Sequence, residues 1–77
     1  MYMIKLHFES KHCPDIVLDL QSKVKTLTES DDITLYTTDP LSPIDVKYLC
    51  YTRKDLEFIS HTKDNEIYTI NLKYHHT

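Results

Sequence analysis

Seventy-seven residues with a formal net charge of −3, two cysteines and no glycine allow one small domain with a thin core. That size excludes a deep substrate cavity together with a catalytic apparatus, and the acid-leaning balance excludes the basic stripe of a general nucleic-acid binder. Two cysteines are too few for a secreted disulfide scaffold, no stretch reads as an export signal and no apolar run reaches membrane-spanning length. A reducing cytoplasm is the expected setting, with no membrane partner and no direct nucleic-acid contact.

Residues 3–8 alternate, with Ile4, Leu6 and Phe8 on one face, which predicts a half-buried strand. The polar stretch Glu9-Ser10-Lys11-His12 leads to Cys13-Pro14, and Ile16, Val17, Leu20, Val24 and Leu27 follow at helical spacing. A helix is predicted from Pro14 to about Leu27, with Asp19 and Lys23 in the i, i+4 order that supports an exposed face. Ile33 to Thr37 alternates again as a second strand, and Asp39-Pro40 ends it. Ser42-Pro43-Ile44-Asp45 reads as a helix start, with Ser42 as cap, Pro43 at the first position and Asp45 three residues after the cap. That helix is expected to run to Tyr51 or Arg53 and to bury Val46, Leu49 and Cys50.

Leu56 to His61 and Ile67 to Tyr74 predict two further strands, and Lys63-Asp64-Asn65-Glu66 supplies a hairpin turn without glycine. Tyr68, Ile70, Leu72 and Tyr74 alternate on the last strand as a core face, and His75-His76 fall in a tail expected to fray. The element order predicts an α+β fold over residues 1–77, a single domain. It is a two-layer βαβαββ sandwich: a four-stranded mixed sheet with two helices on one face.

Chemistry concentrates at Cys13-Pro14. Proline is favoured at the first helical position, where its missing N–H would go unpaired in any case. Cys13 then occupies the cap position, beside free N–H groups and the positive end of the helix dipole. Such an end stabilises a negative charge by about 0.3–1 kcal/mol, up to ~2 when partly buried, enough to raise the thiolate fraction several-fold near neutral pH. Cys13 is the candidate nucleophile, Pro14 its positioning neighbour, and His12 a candidate electrostatic or proton-transfer helper. The bland alternative is a buried, inert thiol, and position alone leaves both open. Cys50, beside Leu49 on the apolar side of its helix, reads as structural. The five histidines and two cysteines match no zinc spacing, so no metal or cofactor is expected.

These residues resemble the TusA/SirA-like family of small sulfur carriers over roughly residues 4–74. His12-Cys13-Pro14 stands where that family carries Cys-Pro-x-Pro, Asp39-Pro40 where it has a common Asp-Pro, and Asp45-Val46 with Leu49-Cys50 where Asp-Ile and Phe-Cys pairs are frequent. The resemblance implies a sandwich like the C-terminal domain of translation initiation factor three. It also implies Cys13 as a persulfide-carrying residue loaded by a cysteine desulfurase or other sulfur donor protein and emptied by a downstream sulfur-acceptor protein. Such a protein is a sulfur-transfer carrier rather than a turnover enzyme, and family members serve tRNA thiolation, sulfur oxidation or cofactor synthesis. Ile16 replaces the family's second proline, and Ser10, Lys11 and His12 occupy the stretch where it often has glycine. Those departures keep a second reading open, a non-catalytic interaction or regulatory module on the same fold. A third, a redox sensor pairing Cys13 with Cys50, requires the two thiols within bonding range.

Overall fold

The chain runs β1 (Met3–Phe8), α1 (Asp15–Val24), β2 (Asp31–Thr37), α2 (Ser42–Thr52), β3 (Leu56–Asp64) and β4 (Ile67–Tyr74). The computed structural model describes residues 3–9 and 15–76. The strands form one mixed sheet in the order β1-β2-β4-β3, with β1 parallel to β2 and both other pairings antiparallel. The expected α+β architecture, βαβαββ with a four-stranded mixed sheet and two helices, is the one observed.

Alternation decides which side of the sheet is covered. Ile33 and Leu35 on β2 pair with Leu72 and Ile70 on β4, and all four are buried. Ile16, Leu20 and Val24 of α1 and Val46, Leu49 and Cys50 of α2 close over them, joined by Phe8, Leu56 and Tyr74. Burying such a side chain contributes about 1.5–3 kcal/mol. Residues of opposite parity, among them Lys5, His7, Thr34, Tyr36 and Asn71, stay exposed or half-buried on the open face. No described helix is long and apolar enough to cross a membrane.

Several boundaries differ from the sequence reading, each for a local reason. Helix α1 ends at Val24 rather than Leu27. The Thr26 hydroxyl donates to the Lys23 carbonyl at 2.7 Å, and the Thr26 and Leu27 N–H groups tighten onto the Lys23 and Val24 carbonyls. Leu27 still packs against the core, but from beyond the helix. Strand β3 continues past His61 to Asp64 because its ladder with β4 persists up to the Asp64–Ile67 pair. The ladder contains a bulge between Phe58 and Ser60. It inserts Ile59 and brings Ser60 opposite Asn71 on the open face, where Asn71 Nδ2 donates to Ser60 Oγ at 3.1 Å. The turn closes on Asn65, whose φ of 58° lies in the left-handed region that asparagine tolerates.

Two predictions follow from this packing. Ile33→Ala should cost about 2–5 kcal/mol in urea unfolding, since the site is fully enclosed by both layers. Asn65→Ala should destabilise by about 1 kcal/mol, while Asn65→Gly should leave stability unchanged or raised.

Candidate functional site

His12, Cys13 and Pro14 lie outside the described residues, as do Ser10 and Lys11. The described chain reaches that segment from Glu9, just after β1, and resumes at Asp15, the first residue of α1. Glu9 is held on two sides. Its carbonyl accepts a hydrogen bond from Thr38 Oγ1 at 2.9 Å, and its Oε1 lies 3.2 Å from His7 Nδ1. A backbone N–H, with the His7 ring second, holds the Glu9 carboxyl below its usual range.

Thr38 belongs to the corner between β2 and α2, which Asp39-Pro40 builds. The Asp39 carboxylate accepts the Leu41 N–H at 2.9 Å, an Asx turn, and the Asp39 carbonyl accepts the Ser42 N–H at 3.1 Å. This corrects the expected cap. Ser42 is the first residue of α2, not its cap; Leu41 holds the cap position without a side-chain bond, and proline falls in the first helical turn. The Ser42 hydroxyl turns inward instead, 3.4 Å from Thr37 Oγ1, with both residues fully buried. Thr37 Oγ1 also accepts the Asp39 N–H at 3.1 Å. Buried hydroxyls need partners, and these two lie within reach of each other.

Parallel pairing sets Phe8 beside Thr37, and the antiparallel pairing of β2 and β4 sets Thr37 beside Tyr68. The ends of β1 and β2 and the β3–β4 hairpin therefore share one end of the sheet. A cavity of about 230 Å³ opens there, lined by Thr38, Pro40, Lys63, Glu66 and Tyr68. Lys63 Nζ stands 5.5 Å from the centroid of the Tyr68 ring. No local motif marks Thr38, Lys63 or Tyr68 for this position; strand register alone brings them together.

Cys50 is a free thiol buried on the core side of α2, as its place beside Leu49 predicts. Burial, with the charge of Asp55 second, pushes its pKa up to about 11. At neutral pH only about one molecule in 10⁴ then carries the thiolate. Asp55 is engaged by Arg53, which donates through Nε and Nη2 to its two carboxylate oxygens at 2.8 and 2.7 Å. That fork seats the turn between α2 and β3 and holds the Asp55 carboxyl below its usual range.

The described histidines are dispersed. His7 stacks on Tyr36 with ring centroids 4.8 Å apart, and His61 tilts against Phe58. His75 and His76 are not frayed. The His75 N–H donates to the Asp55 carbonyl at 2.8 Å, His75 Nε2 lies 2.9 Å from Glu57 Oε1, and the His76 N–H donates to Ser30 Oγ at 3.0 Å. The ladder at the end of β4 simply continues onto neighbouring loops. Among the described residues no group of three or more histidine, cysteine or acidic side chains could hold a metal ion.

Two measurements check these environments. Cys50 should resist iodoacetamide in the folded protein at neutral pH and react at the rate of an ordinary thiol once urea unfolds the chain. Because the Asp55 pKa is lowered on folding, its contribution to stability is present above the ordinary carboxylate pKa and lost as pH falls through the folded value. Asp55→Asn should therefore lose stability at neutral pH and show a shallower further loss below about pH 4 than the wild type.

No family model matches the chain, and no curated protein matches it.

Proposed function

We propose that the chain is a small sulfur carrier that holds sulfane sulfur on Cys13 and relays it between two proteins. The observation that carries this reading is the state of the other thiol, Cys50. Cys50 is buried, with its pKa pushed up to about 11, which leaves thiolate chemistry to Cys13. Two further features support it. The Cys13-Pro14 pair immediately precedes α1, and the βαβαββ order with Asp39-Pro40 at the start of α2 is the arrangement that the resemblance to TusA/SirA-like carriers implies.

The transfer is sulfur exchange between persulfides and needs no cofactor. The Cys13 thiolate attacks the terminal sulfur of a donor persulfide. A new S–S bond forms on Cys13, the donor's S–S bond breaks, and the donor leaves as its own thiolate. An acceptor thiolate then attacks the outer sulfur on Cys13, and the Cys13 thiolate is the leaving group. One sulfane sulfur moves at each step, with no net oxidation. In this reading Pro14 starts the helix whose amide end favours the thiolate, and His12 supplies positive charge or a proton beside it. The donor is a cysteine desulfurase or a protein of similar chemistry, the acceptor a downstream protein thiol, and the setting a reducing cytoplasm.

Intact-mass spectrometry after incubation with a cysteine desulfurase and cysteine tests this reading. The wild type and Cys50→Ala should each gain one sulfur atom that a reductant removes, and Cys13→Ser should gain none. A wild type that gains no sulfur, or a Cys13→Ser protein that gains as much, would leave the non-catalytic module as the better reading.

A further inference from the structure

Helix α2 is apolar on two sides. Val46, Leu49 and Cys50 face the core, while Leu41, just before the helix, and Ile44, Tyr48 and Tyr51 within it are 59%, 66%, 70% and 88% exposed. The outward residues recur at intervals of three, four and three, so they form one stripe. A helix apolar all round is ordinarily covered on every side. With tyrosines offering about 150–250 Å² each, the stripe exposes roughly 600 Å². That is the upper end of the ~300–600 Å² found for the largest patch on a monomer, and most of the ~800 Å² a partner contributes to a standard interface.

Shape and charge say what fits there. Tyr48 stands between two grooves. One, of about 300 Å³, runs toward α1 and is lined by Val17, Asp45 and Thr52; the other, of about 340 Å³, is lined by Ile44, Lys47 and Tyr51. A ridge flanked by grooves is the surface with which helices pack on one another. Asp45 and Lys47 are the only charged residues of α2, and two helical steps set them about 200° apart, one in each groove. The stripe is therefore electrically neutral in a chain of net charge −3 and carries opposite signs on its two flanks.

We propose that this face of α2 is a homodimer interface, covered by the same face of a second copy of this chain. The twofold axis runs parallel to the helices. It exchanges the two flanks, placing each Asp45 opposite the partner's Lys47 and each Tyr48 against the partner's groove. An axis across the helices would set Asp45 against Asp45. The same patch serves both copies, as a closed twofold interface requires.

Sedimentation equilibrium from micromolar to millimolar concentration tests the proposal. The wild type should form a reversible dimer. Tyr48→Glu, at an exposed position, should keep the wild-type circular dichroism and weaken dimerisation by about 30-fold or more, the scale of an interface hot spot. Asp45→Lys and Lys47→Asp should each weaken it, and the double exchange should restore it. A wild type that stays monomeric at millimolar concentration, a Tyr48→Glu protein that dimerises normally, or a double exchange that fails to restore association would each overturn the proposal. Cys13→Ser should leave the dimer unchanged, which keeps this test separate from that of sulfur transfer.

Discussion

The pairing of Ile33 with Leu72 and of Leu35 with Ile70 across β2 and β4 is the layer on which the rest of the molecule is built. All four side chains are buried, and both helices close over them. A slip of one residue in that register would turn every one of them to the open face, so the burial itself holds the register. With β2 and β4 paired, β1 takes the free edge of β2 and β3 the free edge of β4. The end of the sheet that holds the cavity follows from the same pairing. Phe8, Thr37 and Tyr68 meet there because their strands are locked in line farther down.

A chain without glycine must make its corners from side chains that supply their own hydrogen bonds. Asn65 takes the left-handed position in the hairpin, and Asp39 folds its carboxylate onto the Leu41 N–H to start α2. The second corner also reaches beyond its own loop. Thr38, next to Asp39, holds the Glu9 carbonyl, so the residue that leads out of β1 is tied to the start of α2. Corners that would elsewhere be only connections here tie separate elements of the sheet and helix layers together.

Helix α2 carries two demands on eleven residues. Its inner side completes the core and encloses Cys50, whose low acidity is a consequence of that enclosure. Its outer side is as apolar as the inner one, in a domain too small to cover it with elements of its own. Of the two thiols, Cys50 is given over to packing. In a protein of this size, packing and association compete for the same few surfaces.

Element order, the alternation of β1, β2 and β4 and the buried stripe of α1 were all legible in the sequence, because each depends on side chains spaced by the local period of helix or strand. Cys13 is a candidate for chemistry on local grounds alone, its residue type and the proline after it, and it lies outside the described residues. Ser42 was misread as a cap because its hydroxyl had a competing partner, Thr37, which only packing brings within reach. The length of β3, the bulge at Ile59 and the anchoring of His75 and His76 were equally hidden, since each is settled by a strand or loop distant in sequence. The sheet end that gathers Thr38, Lys63 and Tyr68 draws on three separate elements. Period and residue type determined which segments form and which faces turn inward; hydrogen-bond competition and register between distant segments decided where polar side chains go, because those energies do not exist until the layers meet.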